Sequence, residues 1–331
     1  EGKPRAVAAA GAALSYVQQA QQGAVAQLTA MSTYATDAFM VLDAATRRNL
    51  ELVATIRGDK GRGTLLWVLD ETRTAGGARR LRAWLDQPLV DRARIERRLD
   101  AVQALSEAGL LRAELRALLK GMPDVERLVN RIVAGYAGPR ELQALARGLH
   151  VVPRLRALIE PAQGLPASLA GLCTQDVTPS AAGIEAALAD DPPAVLGVAG
   201  VIRPGYSADL DEIHASVDEA RAWIAGLEGR ERDRTGIRKL KVGFNKVFGY
   251  YLAVPKSQAE HVPDDYHRKQ TTVDGERYIT PELKDRESEV LHAEERIVAL
   301  ERELFAAVCR GVAEGAGLLL DAAHDAAVLD A

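Results

Sequence analysis

The chain has 331 residues, 47% of them hydrophobic and only 5% aromatic, and its formal net charge is −4. That length and apolar content are enough for two or three domains with a sizeable core. The mild acidity excludes a protein coated in positive charge, so any contact with nucleic acid has to be local. The two cysteines lie far apart, and no apolar run reaches the length of a membrane span. We therefore expect a cytoplasmic protein in a reducing compartment.

Helix is expected over most of the chain, because alanine, leucine and arginine dominate its composition. Breaks within the long helical region are predicted at Gly76-Gly77, Pro88 and Gly109. Residues 172–201 are rich in Ala, Asp, Pro and Gly, and we expect a connecting loop with one short helix there. In chain order, the other expected elements are a helix over 6–29, a mixed segment over 37–56, a loop over 58–63, helices from 64 to 119 and shorter helices such as 141–158.

Two later segments, 206–230 and 287–305, place their apolar residues at steps of three and four. This narrow seam is typical of a helix that packs along one partner helix. At about 1.5 Å per residue, about 22 residues make a rod of roughly 33 Å. The expected seam positions are Leu210, Ile213, Val217, Ala220, Ile224 and Leu227 in the first helix and Val290, Ile297, Leu300 and Leu304 in the second.

The segment between these helices has a different period. Residues 240–254, LKVGFNKVFGYYLAV, alternate apolar and polar side chains and predict a pair of strands. Two further strands are predicted over 266–273 and 276–279, with a type I′ turn at Asp274-Gly275, because Asp-Gly is a strong hairpin signal. Pro281 then ends the sheet and Glu282 begins the returning helix. In the first strand, one face is expected to carry Leu240, Val242 and Phe244, and the other Lys241, Gly243 and Asn245.

The inserted sheet and the two helices differ in the sign of their net charge. Residues 234–286 contain 11 Lys or Arg and 7 Asp or Glu, a net charge of +4. By contrast, residues 206–233 contain 8 acids and 3 bases, and residues 287–303 contain 6 acids and 2 bases. A basic tip on acidic shafts can bind a polyanion at its end. The alternative interpretation is a solvated set of lysines that protects the edge of a small sheet.

The candidate contact residues are those whose side chains suit a phosphate backbone. Lysine and arginine provide charged contacts that release counterions, and Asn, Gln, Thr and turn amides provide neutral donors that position a backbone without reading bases. Simple alternation leaves open which face of this strand meets the ligand. One face would carry Arg268, Gln270 and Thr272, and the other Lys269, Thr271 and Val273. The candidates are Lys241, Asn245, Lys246, Arg268, Lys269, Gln270, Thr271 and Thr272, with the hairpin residues Val273, Asp274 and Gly275; Lys239, Lys256 and Arg277 share the tip.

No pattern for catalysis is present in the sequence. The phosphate-binding pattern G-x-x-x-x-G-K-[ST] and the nucleophile pattern G-x-S-x-G do not occur, and the six histidines never pair at i and i+4 as helical metal ligands would. Carboxylates such as Glu294 and Glu301 have arginines close by in sequence and are expected on solvated helix surfaces. We therefore expect no catalytic site, no metal or cofactor in this chain, and no ATP hydrolysis.

Several segments resemble the bacterial MutS family, the mismatch-recognition ATPases of DNA repair. Motifs of ten or more residues, in the same order along the whole chain, are too specific for chance, and residues 120–200 carry the least specific part of the resemblance. The motifs are LDAATRRNLEL at 42–52, TLLWVLDETRTAGGARRLRAWLDQPL at 64–89, RLDAV at 98–102, LKVGFNKVFGYYLAV at 240–254, RKQT at 268–271 and ERYITPELKDRE at 276–287.

The resemblance implies a mainly α fold, in which a helical core bundle carries two long lever helices and an inserted small antiparallel β clamp domain. In this family the clamp touches the DNA backbone, and the levers couple it to an ATPase domain that we expect to lie outside this chain. ATP and Mg²⁺ belong to the full-length family. The implied segments are the end of a connector region at 1–15, a helical core at 16–205, an outgoing lever at 206–232, the clamp at 233–286, and a returning lever with further core at 287–331.

The resemblance also implies partners. They are double-stranded DNA, a second copy of the same protein in the full-length clamp, and a MutL-type repair partner, with no membrane. One position departs from the family pattern, because Asp274-Gly275 stands where the family has a neutral pair, and a carboxylate there repels phosphate.

Two other interpretations of an arm with a tip stay open. A coiled-coil arm that binds a protein predicts an uncharged or apolar tip, which the net charge of +4 over residues 234–286 disfavours. An arm that binds structured RNA is not separable from one that binds DNA, because contacts to a phosphate backbone do not identify the nucleic acid. The preference for DNA therefore rests on the resemblance.

Overall fold

The computed structural model describes residues 3–20, 38–58, 61–245, 249–272 and 275–331. The described chain is mainly helical with one four-stranded antiparallel sheet, which is the fold class that the sequence predicts. It divides into two compact units, one formed by Glu1–Ala186 with Ala307–Ala331 and the other by Ala187–Ala306. The five-segment division given above stays a prediction.

The first unit has a helical core. Leu142, Leu145, Leu149 and Val152 are fully buried and recur at helical spacing along two consecutive helices. The helices of this unit are α1 (Pro4–Ala20), α2 (Ala44–Asn49), α3 (Leu65–Leu69), α4 (Ala75–Asp86), α5 (Arg92–Glu107), α6 (Gly109–Leu119), α7 (Val125–Val133), α8 (Pro139–Leu149), α9 (Val151–Ile159), α10 (Ala167–Ala170), α11 (Thr178–Ala187) and α14 (Ala316–Asp330).

Most predicted interruptions of the helices are confirmed. Pro88 lies between α4 and α5, and α6 begins at Gly109. The helix expected over 141–158 is divided into α8 and α9 at His150, and Pro153 lies in the first turn of α9, where a missing N–H costs little. α1 is described as far as Ala20, and the remainder of the helix predicted over 6–29 lies outside the described residues.

The predicted break at Gly76-Gly77 is wrong, because both glycines lie in the first turn of α4. The interruption falls before that helix, and Thr74 caps it by accepting a hydrogen bond from the N–H of Gly77 at 2.9 Å. Gly77 is required because another side chain lies against its Cα, and not because the backbone turns there. A Cβ atom there would collide with the carboxylate of Asp330, which accepts hydrogen bonds from the N–H groups of Arg73 and Thr74.

The second unit contains the first of the two long helices, α12 (Ala208–Thr235). All six predicted seam residues of α12 are buried, so that prediction is confirmed. Ser207 caps the helix at its start, and Gly236 ends it with a φ of 74° in the left-handed region that suits glycine.

The second long helix, α13 (Pro281–Glu314), has a different seam from the one predicted. Val290 and Ile297 are buried as expected, but Leu300 and Leu304 are only half-buried. Their neighbour Glu301 is buried instead, at 2% exposure. The expected solvated position of Glu301 is therefore also wrong.

A physical reason for this shift is visible in the hydrogen bonds of Glu301. Its carboxylate accepts hydrogen bonds from the backbone N–H groups of Gly200, Val201 and Ile202, at 3.0 to 3.2 Å. A buried carboxylate is tolerated when several donors satisfy it. Glu294, by contrast, is about half exposed and forms a 2.6 Å salt bridge with Arg221 of α12, so it joins the two long helices.

The sheet lies between α12 and α13 in sequence, and its strand order is β1-β2-β4-β3. Leu240, Leu252, Val254 and Tyr278 form its core with Ile224, Leu227 and Leu283 of the two helices, Ile237 and Tyr266. The predicted pair of strands over 240–254 is confirmed. The strands are β1 (Lys241–Asn245), β2 (Gly249–Pro255), β3 (His267–Thr271) and β4 (Gly275–Ile279), with a 3₁₀ helix (Lys256–His261) after β2.

One detail of the predicted sheet is wrong, and one side chain of a correctly predicted face lies outside the core. Phe244 lies on the expected face but is 61% exposed and is not part of the core, and its ring meets that of Tyr250 edge-on at 5.0 Å. The type I′ turn is not centred on Asp274-Gly275, since Gly275 already begins β4 and does not have a positive φ. Gly275 is required because a Cβ there would collide with the carbonyl oxygen of Val254. Asp274 lies outside the described residues.

Candidate nucleic-acid interface

Strand register defines two faces of the sheet. Directly paired residues of antiparallel strands lie on the same face. Lys241 pairs with Ala253, Ala253 with Arg277, and Arg277 with Gln270, so these residues share one face. Tyr251 lies on that face as well, two residues before Ala253. We call Lys241, Tyr251, Gln270 and Arg277 the outer face, because the opposite face carries the buried Leu252 and Tyr278.

A β-bulge decides which face each residue of β3 occupies. Arg268 pairs with Tyr278, but Gln270 pairs with the adjacent Arg277, so Lys269 is the extra residue of the bulge. Arg268 therefore belongs to the core side of the sheet and Gln270 to the outer face. The alternation that placed both on one face is wrong, because a bulge inserts one residue and reverses the parity beyond it.

Arg277 is the most firmly positioned cation of the outer face. Its guanidinium lies 4.5 Å from the ring centroid of Tyr251 and donates a hydrogen bond to the Gln270 side-chain oxygen at 2.8 Å. Neither contact neutralises the charge, and Arg277 forms no salt bridge within the described part of the chain. Gly243 makes room for this arrangement, since a Cβ there would lie 2.6 Å from the Tyr251 ring. A stacked arginine of this kind is suited to phosphate contact.

Lys241 and Lys269 add two exposed ammonium groups. Within residues 241–245, 249–272 and 275–331, neither forms a salt bridge, and Lys269 lies on the edge strand β3. Arg268 differs from them, because it forms a 3.4 Å salt bridge with Glu276. The pKa of Glu276 is held below its usual range, first by the Tyr278 hydroxyl that donates to it and also by Arg268. Burial is the main reason that the pKa of Tyr278 rises to about 12.

The remaining candidates are spread over the sheet. Asn245 is the last residue of β1, and Thr271 pairs with Glu276 on the core side. Thr272 donates both its N–H and its hydroxyl to the carbonyl oxygen of Gly275, at 2.8 and 2.9 Å, which closes the hairpin. The predicted contacts Lys246, Val273 and Asp274 lie outside the described residues.

Sequence reasoning missed Tyr251. The sequence contains the necessary pattern. Leu252 and Val254 are the core residues of β2, and alternation places Tyr251 on the other face of the same strand. A tyrosine in a strand is otherwise read as a core residue, which is why its role beneath Arg277 follows only from the register.

Carboxylates from the two long helices fix the first hairpin. Glu228 of α12 accepts a hydrogen bond from the N–H of Val242 at 3.1 Å, and Glu287 of α13 accepts one from Tyr250 at 2.9 Å. Gly249, with a φ of 76°, lies so close to Glu287 that a Cβ would collide with the carboxylate. The acidic residues at these helix ends therefore position the sheet.

Arg234, another cation near the sheet, is neutralised by neighbouring carboxylates. Arg234 forms salt bridges with Glu231 at 2.8 Å and with Asp265 at 3.0 Å, and the Tyr266 hydroxyl donates to Glu231 at 2.7 Å. Burial is the first reason that the pKa of Tyr266 is raised. Arg234 is thus paired with carboxylates, unlike Lys241, Lys269 and Arg277, which form no salt bridge in the described part of the chain.

Two negative findings concern the described residues only. No group of three or more His, Cys, Asp and Glu side chains among them is placed to hold a metal ion. No helix in the same part of the chain combines the length and apolar character needed to cross a membrane.

Two long helices joined by a small sheet with a basic outer face define the class of protein, a helical arm that ends in a sheet. We call the sheet of β1 to β4 the β tip. Residues 45–331 match the family model described as MutS domain III. The chain therefore belongs to the MutS family.

Curated relatives agree with this assignment. The DNA mismatch repair protein MutS of Anaeromyxobacter sp. (strain K) is 48% identical over 330 residues, which cover 100% of this chain and 37% of that protein. The proteins of the same description from Symbiobacterium thermophilum and Salinibacter ruber are each 45% identical, over 98% of this chain and 37% and 36% of their own length. The chain thus spans little more than a third of the length of these relatives.

Proposed function

We propose that this chain is the part of a bacterial mismatch repair recognition protein that holds duplex DNA by its backbone. The β tip makes contacts that do not depend on base sequence, and the two long helices couple the tip to an ATPase domain elsewhere in the whole protein. Neither catalysis nor a cofactor is assigned to this chain. In the whole protein, a second copy and a MutL-type partner would complete the assembly.

The observation that carries the proposal is the outer face of the sheet with the adjoining β3 edge. Arg277, Lys241 and Lys269 present positive charges without a salt bridge in the described part of the chain, beside the amide of Gln270. Such a mixture of cations and neutral donors suits phosphate oxygens, and contacts to phosphate carry no base-sequence information. Membership of the MutS family, whose relatives are named for DNA mismatch repair, supports DNA as the polyanion.

The test is a titration of the chain with two labelled duplexes that differ only by one central mismatch. We expect weak binding of both, equal within a few-fold, with an affinity that falls steeply as salt is raised, because phosphate contacts release counterions. A clear preference for the mismatched duplex would contradict a backbone-only contact. Binding that is insensitive to salt would contradict the role of the tip cations.

A single-stranded RNA and an RNA duplex serve as further ligands in the same titration. Because the relatives of this chain are named for DNA mismatch repair, we expect the DNA duplex to bind at least as tightly as either RNA. A stronger and saturable interaction with the RNA duplex would replace the proposed function by the RNA-binding alternative.

A further inference from the structure

A recess of about 460 Å³ lies in the first unit and is lined by residues of α4, α5, α10 and α14. One of its walls is basic and consists of Arg80, Arg94, Arg97 and Arg98. Among the described residues, no Asp or Glu lines this recess. The side chains that line the recess in the described chain thus include four guanidinium groups and no carboxylate.

The salt bridges of neighbouring arginines make the contrast clear. Arg79 of α4 forms salt bridges with Asp124 and Glu126, both at 2.7 Å. Within the described chain, none of the four arginines of the recess forms such a bridge. The guanidinium of Arg98 lies instead 4.2 Å from the ring centroid of Trp84. Its pKa is lowered by burial first, and then by Arg94 and Arg80, so the fold gathers like charges there.

The other side of the recess is apolar. Leu89 and Leu169 are buried in its wall, and Val102 contributes an exposed side chain. His324 lies at one end, beside Arg80, and its pKa is lowered by burial and by Arg80, while Asp321, Asp325 and Glu126 act against this. Arg94, Arg97 and Arg98 of α5 are not among the groups that shift the pKa of His324.

We propose that this recess binds a small organic phosphate. The phosphate would lie on Arg94, Arg97 and Arg98, since arginine forks match phosphate oxygens, and its apolar or aromatic body would lie against Leu89 and Val102. The volume is in the range of pockets that hold small ligands. This site is separate from the DNA contact proposed for the β tip, and its described lining contains no Asp or Glu side chain that could ligate magnesium.

The probe is phenyl phosphate, which combines a dianion with a small apolar body, compared calorimetrically with inorganic phosphate and with phenol. We expect saturable binding of phenyl phosphate at least tenfold tighter than that of inorganic phosphate, and no saturable binding of phenol. Equal affinity for the two phosphates would overturn the proposed ligand class, because the apolar wall would then contribute nothing. The absence of saturable phenyl phosphate binding up to millimolar concentrations would overturn the site.

Variants with equal charge change separate the recess from general attraction to a basic surface. Arg94→Gln with Arg97→Gln should weaken phenyl phosphate binding at least tenfold. Arg92→Gln with Arg154→Gln, two exposed arginines of the same unit outside the recess, should leave it within twofold. Equal weakening by both pairs would overturn the proposal.

A third variant and a chain with two added glycines test the same site in other ways. If the arginine pair fails to fold, Val102→Asp places a repulsive carboxylate at an exposed wall position and should also weaken binding tenfold; unchanged affinity would contradict the assignment. Because Ala331 lines the recess, a free carboxylate there would compete with an added anion. Binding should therefore be at least as tight to a chain extended by two glycines, and abolition of binding on extension would overturn the proposal.

Discussion

Gly77 has no room for a side chain, because the Asp330 carboxylate lies against it. We expect Gly77→Ala to lower the free energy of unfolding by about 1–3 kcal/mol, as overpacking usually does. Gly183→Ala is the matched control, since Gly183 is also helical and a Cβ there meets nothing within 4 Å. The control should raise stability by up to about 1 kcal/mol. Denaturant unfolding measures both, and a neutral Gly77→Ala would contradict the close approach of Asp330.

Glu301 is the second single residue that we expect to contribute strongly to stability. Removing its carboxylate leaves the N–H groups of Gly200, Val201 and Ile202 without their acceptor, at a cost of about 1–3 kcal/mol for a buried donor. We expect Glu301→Ala to lower the unfolding free energy accordingly, and the exposed Glu303→Ala on the same helix to change it by less than about 0.5 kcal/mol. If both variants change the unfolding free energy equally and little in a denaturant titration, the backbone of residues 200–202 does not need the Glu301 carboxylate.

At the scale of elements, Asp124 joins two helices of the first unit. It caps α7 and forms a salt bridge with Arg79 of α4 at 2.7 Å. The pKa of Asp124 is below its usual range, first because of Arg79. A carboxyl whose folded-state pKa is depressed stabilises the fold above its unfolded pKa, and this contribution is lost as the pH falls through the folded pKa.

The pH dependence of unfolding tests this link. Between about pH 7 and about pH 3, the thermal midpoint of the Asp124→Asn variant should fall less than that of the unmodified chain, because the titrating group has been removed. Glu114→Gln, which changes an exposed carboxylate without a salt bridge in the described chain, should keep the full decrease. Parallel pH curves for all three proteins would contradict the contribution of Asp124.

The elements that sequence predicts well are those with a sustained period. All six seam positions of α12 are buried, and the alternation in residues 240–254 gives the first hairpin correctly. Errors occur where one contact overrides the pattern. Glu301 is buried by three backbone donors, and the bulge at Lys269 reverses the face of every later residue in β3. A period in the sequence contains neither kind of information, because both depend on segments that are distant along the chain.

The candidate site was predictable in composition and only partly in geometry. The basic character of the tip follows from counting charges, whereas salt bridges decide which charges stay free. Arg234 and Arg268 are paired with carboxylates, and Arg277 is held on Tyr251. Lys246, which counting also includes, lies outside the described residues and stays a prediction.

At the scale of the whole molecule, membership of the MutS family and the basic tip both support the proposal that the partner is duplex DNA. The chain covers 37% of the MutS protein of Anaeromyxobacter sp. (strain K), so mismatch recognition and ATP use are proposals for the whole protein. Under the proposed function, the side chains of this chain contribute a cationic contact to the DNA backbone at the β tip, which does not depend on base sequence. The long helices, with the Arg221–Glu294 salt bridge between them, provide the support for that tip.

The most direct test of this central claim is the salt dependence of duplex binding by a tip variant. Lys241→Gln with Lys269→Gln should weaken binding and flatten the slope of log affinity against log salt by about 0.9 for each phosphate that is no longer neutralised, with the thermal midpoint nearly unchanged. Arg296→Gln with Arg302→Gln, exposed on α13 away from the tip, should bind as the unmodified chain does. If the tip pair keeps the original slope and affinity, or if the α13 pair flattens the slope equally, the β tip is not the DNA contact.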